Sequence, residues 1–149
     1  MSIRGQCTCG NIAVHWHTVD YSVTPRMCQC QYCSSKSAAY VSKSGTRVDI
    51  LIHKEGKHRI HRQGTKTAEF HECTNCHDLV CVTAWIDGDL YGALNSNCLS
   101  NPRGFSPGIK IDVSDQTAAT KLDRWRQNWC HPVIITSQGR NAAVTAPQA

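Results

Sequence analysis

Short alternating runs dominate the chain. Ile12-Ala13-Val14-His15-Trp16 follows Gly10 and places apolar residues at every second position, the period of a strand with one buried face. Val48, Ile50 and Ile52 alternate with Asp49, Leu51 and His53 ahead of Glu55-Gly56-Lys57. That pattern predicts a hairpin, with a return strand over residues 58–62 ended by Gln63-Gly64-Thr65. A further strand is predicted over residues 66–72. Residues 79–86 form a longer, β-branched apolar run, and Asp87-Gly88-Asp89 is the clearest turn, after which residues 90–95 pair back. Strands joined in order by tight turns read as an antiparallel meander.

Two stretches break the pattern. Asn101-Pro102-Arg103-Gly104-Phe105-Ser106-Pro107-Gly108 is a loop by its prolines and glycines. After it, Ser114 is a candidate N-cap for a helix reaching about residue 129. Leu122, Trp125 and Trp129 fall at spacings of three and four and so share one helical face, which reads as core packing. Residues 139–149 are small and polar. The expected organisation is a single zinc-binding, catalytic-type domain over 1–136 with a flexible C-terminal tail over 137–149.

Composition changes this picture at one point. Ten cysteines in 149 residues is an excess that means either disulfides or metal, and the compartment decides between them. The first residues, Met1 to Cys7, hold no apolar run of the kind a secretory signal needs. Nowhere does an apolar stretch approach the ~20 residues that span a bilayer. A cytoplasmic, reducing location and no membrane association are therefore expected, and thiols there usually hold metal. The net charge of +5 gathers in part around Lys54, Lys57, Arg59 and Arg62, a surface attractive to anions. No aromatic residues interleave with those charges as a base-stacking platform would require, so nucleic acid is disfavoured as a partner.

The cysteines fall into three clusters: Cys7-Thr8-Cys9-Gly10, Cys28-Gln29-Cys30-Gln31-Tyr32-Cys33 and Cys73-Thr74-Asn75-Cys76. Zinc prefers four thiolate or imidazole ligands in a tetrahedron, and close pairs in tight turns supply adjacent corners. Cys73 and Cys76 have the spacing of a zinc knuckle, and Cys7 and Cys9 are the natural complement. Such a site staples the fold. Cys28, Cys30 and Cys33 remain, and three thiolates on one zinc leave a fourth position open, the mark of a catalytic centre. A fourth protein ligand would instead close the site, with Cys81, Cys98, Cys130, His71, His77 and His131 as candidates. Cys81 sits in an apolar run and reads as buried filler, while His15 and His17 flank Trp16 as surface residues. A Cys30–Cys33 redox pair fits less well, because Cys28 is its neighbour. No nucleophile elbow, phosphate loop or dinucleotide fingerprint is present.

Taken together, these three motifs resemble the glutathione-dependent formaldehyde-activating enzyme family, which also includes centromere protein V. The likeness runs from about Cys7 to Cys98, with seven cysteines in register. The resemblance implies a mainly β fold: a small zinc-stapled antiparallel structure of two or more small sheets, related to methionine sulfoxide reductase B. To this the chain adds the C-terminal helix. It also implies two zinc ions per chain, a structural one on Cys7, Cys9, Cys73 and Cys76 and a catalytic one on Cys28, Cys30 and Cys33. The implied reaction is a carbon–sulfur lyase run in reverse, adding glutathione as co-substrate to formaldehyde or another small aldehyde.

The chain departs from the family pattern at several positions. Gln29 stands where His is common, His77 where Gly is usual, and Ser34-Ser35 where basic residues are often found. With the 101–108 loop and the helix, these departures imply a pocket reshaped for a larger carbonyl or thioether metabolite. The competing reading is a non-catalytic zinc module that binds a macromolecule through its basic hairpin. A redox sensor built on Cys30 and Cys33 ranks third.

Overall fold

The computed structural model describes residues 2–63, 65–113 and 116–137, together with the backbone of 142–143. Along the chain run β1 (Ile3–Gln6), β2 (Ile12–Trp16), β3 (Arg26–Cys28), α1 (Gln31–Ser35), β4 (Tyr40–Val41), β5 (Val48–Ile52) and β6 (His58–His61). There follow β7 (Glu69–Cys73), β8 (Leu79–Ile86), β9 (Asp89–Asn95), β10 (Ile109–Ile111), α2 (Ala118–Asn128), β11 (Val133–Ser137) and β12 (Ala142–Ala143). The strands form two sheets, ordered β1-β2-β5-β11-β12 and β10-β3-β4-β9-β8-β7-β6. The fold is mainly β, with two sheets and a C-terminal helix.

Period-two patterning works where one face is covered. Ile12, Val14 and Trp16 of β2 pair across the sheet with Ile52, Ile50 and Val48 of β5, and all six side chains are buried. β8 is different: all of its residues except Trp85 are buried, because both its faces are covered. Val80 and Cys81 pack toward the first sheet, whereas Leu79, Val82, Ala84 and Ile86 pack with Trp125 and Trp129 of α2. A register shift between His71 and Glu72 of β7 accounts for the change of face at Val80.

Three expectations are corrected. The predicted 48–62 hairpin does not form: β5 pairs with β2 and β11, whereas β6 pairs with β7 in the other sheet. Glu55–Lys57 is a short 3-10 turn that carries the chain between sheets. Both edges of β5 are taken, and β6 has no buried residue with which to compete for one. Second, the pairing is not wholly antiparallel, since β11 lies parallel to β5 and β10 parallel to β3. Third, the helix begins later than expected. Its N-cap is Thr117, whose Oγ1 accepts from the Thr120 amide at 3.2 Å, and Ser114 lies outside the described residues. Of the segment 137–149, Ser137 ends β11 and Ala142–Ala143 pair back on it. The rest of that segment lies outside the described residues.

Candidate metal centres and a cavity at the second

The first cluster assembles as its spacing predicts. The sulfurs of Cys7, Cys9, Cys73 and Cys76 all lie within 4.8 Å of one another, with Cys7–Cys9 at 3.7 Å and Cys9–Cys73 at 3.5 Å. A zinc tetrahedron with ~2.3 Å bonds has edges of about 3.8 Å, so the donor set fits zinc. Two matching knuckles make it. Gly10 donates its amide to the Cys7 carbonyl at 2.9 Å with φ +82°, and His77 does the same to Cys73 at 2.8 Å with φ +64°. The Ile12 amide points at Cys7 Sγ at 3.3 Å. Asp78, which spacing alone does not single out, ties the halves together: its Oδ2 accepts from the amide and hydroxyl of Thr8, both at 2.6 Å. Burial pushes the Cys7 thiol up to about 12, while the Asn75 side chain and the Asn11 amide pull Cys9 down to about 6.

His77 stands in the left-handed region that costs an L side chain about 1–2 kcal/mol. The change His77→Gly is therefore expected to raise stability by roughly 0.5–1 kcal/mol, the gain being reduced by glycine's looser unfolded chain. A thermal melt should show a rise of about 2–3 °C. A fall would mean that the imidazole contributes more than its backbone costs.

The second cluster lies at the junction of β3 and α1. Cys28 ends β3, Cys30 is the N-cap of α1 and Cys33 sits inside the helix, and the three sulfurs lie within 4.8 Å of one another. Cys30 Sγ accepts from the Cys33 amide at 3.3 Å and from Gln63 Nε2 at 3.3 Å. The Tyr40 hydroxyl is 3.3 Å from Cys33 Sγ. Neighbouring Cys33 holds the Cys28 thiol down to about 5, and Cys28 in turn drives Cys33 upward. So close a set lets one thiol ionise at the expense of its neighbours. A divalent cation removes that conflict.

No fourth Cys, His, Asp or Glu joins the three among the described residues. The candidates for closing the site are engaged elsewhere. His71 is buried between Thr83 and His58, Cys98 contacts the Leu79 carbonyl, and Cys130 bridges to Gly92. His77 belongs to the knuckle, His131 meets Asp89, and Cys81 is buried in β8. His15 and His17 lie with Asp49 as a third close group. There each is already engaged, His15 with Ser2 Oγ and His17 with Asp49, both at 2.6 Å.

The three cysteines line a cavity of about 340 Å³. Its walls are the face of the second sheet turned from the first, through Tyr40, Phe70, Val82 and Ile111, and α2, through Lys121, Arg124, Trp125 and Trp129. Of the stripe read as core packing, Trp125 and Trp129 are buried and stacked at 4.4 Å and also form this wall, while Leu122 is half-buried against the same apolar cluster. Gln63 and Thr65 reach the cavity, but Arg59 and Arg62 of the basic segment are held by Glu72 and Glu69. Sequence reasoning missed Arg26, Tyr40, Gln63 and Arg124, which bear no motif of their own.

A sequence model of the glutathione-dependent formaldehyde-activating enzyme family matches residues 2–115, most of the chain. The chain belongs to that family. All seven cysteines of the two clusters fall inside the matched part of this glutathione-dependent formaldehyde-activating enzyme domain, and α2 follows it. No curated protein matches the chain. Among solved structures it is similar to the crystal structure of a Rhodobacter sphaeroides protein, at 21% identity and a TM-score of 0.55. The match covers 71% of this chain and 99% of that one, and it speaks for the fold alone. Among the described residues, no helix is long and apolar enough to cross a membrane.

Proposed function

We propose that the protein is a zinc-dependent carbon–sulfur lyase that condenses glutathione, or a related small thiol, with formaldehyde or another small aldehyde. The observation that carries this reading is the convergence of Cys28, Cys30 and Cys33 on an accessible cavity with no fourth ligand among the described residues. Zinc held by these thiolates supplies a Lewis acid that favours the ionised form of an incoming thiol. The surrounding residues do the rest. Gln63 and the α1 amide fix Cys30, and Tyr40 fixes Cys33. The substrate sulfur attacks the aldehyde carbon, the C–S bond forms, and the carbonyl electron pair moves to oxygen. The proton that leaves the substrate thiol passes to water and water returns one to that oxygen, in a cavity whose lining includes Thr65 and Thr67 as polar partners for the exchange. Cys7, Cys9, Cys73 and Cys76 take the structural role, outside the cavity.

The test is exchange spectroscopy by NMR on glutathione, formaldehyde and the zinc-loaded protein. Acceleration of S-hydroxymethylglutathione formation above the uncatalysed rate is expected, and its absence for formaldehyde and for larger aldehydes alike would refute the reading. The non-catalytic alternative draws less support. The basic hairpin it needs is not formed, and Arg59 and Arg62 are paired with carboxylates.

A further inference from the structure

We propose that α2 and β3 build an anion clamp, Arg124 with Arg26 and Lys121, over the three-cysteine cluster, so that the cavity selects a ligand carrying a carboxylate on an apolar or aromatic body. That this ligand is a substrate rests on the reading above; the clamp itself does not.

The argument begins with unmatched charge. Arg26, Lys121 and Arg124 line the cavity, and the described lining sets one carboxylate, Asp112, against these three cations. Four arginines elsewhere are paired, Arg47 with Asp49, Arg59 with Glu72, Arg62 with Glu69 and Arg126 with Asp87, whereas Arg26 and Arg124 share one cavity without such a partner among the described residues. No ion pair joins Arg26, Lys121 or Arg124 to a carboxylate among the described residues. Arg124 Nε is buried and has no hydrogen-bond partner, although a charged group so placed costs free energy until something accepts from it. Burial lowers the Arg124 pKa, and the neighbouring Arg26 lowers it further, the mutual repulsion of two guanidiniums facing one space. A carboxylate relieves both costs, since guanidinium and carboxylate pair through two parallel hydrogen bonds.

The rest of the wall sets the body of the ligand. Phe70 and Val82 from the sheet face Trp125 and Trp129 across the cavity, with Ile111 and Val113 alongside. The Trp125 and Trp129 rings stack on each other 4.4 Å apart and form one apolar block in the wall, suited to an aromatic or alkyl chain. Arg124 and the three cysteines line the same cavity, so a carboxylate held by the clamp shares that space with the cluster. Lys121, Arg124 and Trp125 of α2, Ala118–Asn128, and Trp129 at its C-cap lie beyond the part of the chain matched to the family, whereas Arg26, Phe70 and Val82 lie within it.

The experiment is calorimetric and tryptophan-fluorescence titration of the full zinc-loaded chain with phenylacetate, 3-phenylpropionate and 4-phenylbutyrate, each against its amide. At least one acid should bind about tenfold more tightly than its amide, in keeping with a charge-assisted bidentate pair. In Arg124→Gln that preference should fall below about threefold, with zinc content and far-UV circular dichroism unchanged. Arg26→Gln, on a different element, should reduce it in the same direction. Equal binding of acid and amide, no binding of any acid at millimolar concentration, or a preference that survives both substitutions would overturn the clamp. The two readings separate cleanly. An acid preference without glutathione–formaldehyde turnover keeps the clamp and removes the chemistry; turnover without a preference does the reverse.

Discussion

Cys76→Ser is expected to cost the protein its fold. The four sulfurs of this site join the turn after β1 to the turn after β7, in different sheets, so a metal held there closes a loop of a little under half the chain. Structural zinc contributes on the order of 10–16 kcal/mol in small domains, against about 5–15 kcal/mol of total stability for a typical fold. Loss of one thiolate also leaves buried Cys7 and Cys73 facing each other without a shared cation. The variant should hold less zinc per chain than the parent by elemental analysis and lose its cooperative thermal transition, and a strong chelator should abolish that transition in the native chain. A Cys76→Ser protein that melts cooperatively within a few degrees of the parent would sink the staple.

Cys30→Ser is expected to have the opposite profile, with turnover lost and the fold kept. Cys30 is the N-cap of α1, its sulfur accepting from the Cys33 amide, and serine is among the residues best suited to that position. The Gln63 amide can donate to a serine oxygen as it does to the sulfur. What serine does not replace is the soft thiolate ligand. The second zinc should therefore be lost or labile, and activity should fall by more than roughly 100-fold, beyond the effect of an outer-shell change. The melting temperature should stay within a few degrees of the parent. Parallel collapse of stability in Cys30→Ser and Cys76→Ser would abolish the division of labour between the sites.

Much of this arrangement is legible along the chain. The strand at 12–16, the hairpin of β8 and β9 around Asp87-Gly88 and the paired spacing inside each outer cysteine cluster all follow from patterns within a few residues. His77 is legible too: a non-glycine residue where the family has Gly does take a positive φ. The hairpin at 48–62 shows where such reasoning stops. Its two strands and its turn are all present, yet the strands belong to different sheets.

Side-chain period and ligand spacing are local properties, written into neighbouring residues by backbone geometry and coordination chemistry. The sequence by itself determined β2, the strands β5 to β9, the helix α2 and the three cysteine clusters, and left β1, β3, β4, β10, β11, β12 and α1 unread. Sheet membership is settled by competition among distant segments for a limited number of edges. Thus β11, eighty residues away from β5, takes the edge that β6 would have needed. The same long-range packing swings α2 over the second sheet and brings Arg124, Trp125 and Trp129 beside Cys28. Only the tertiary structure decided that a helical stripe suited to core packing would also be the wall of a charged cavity. Burial and charge at that point depend on which surfaces meet, and no local pattern records that.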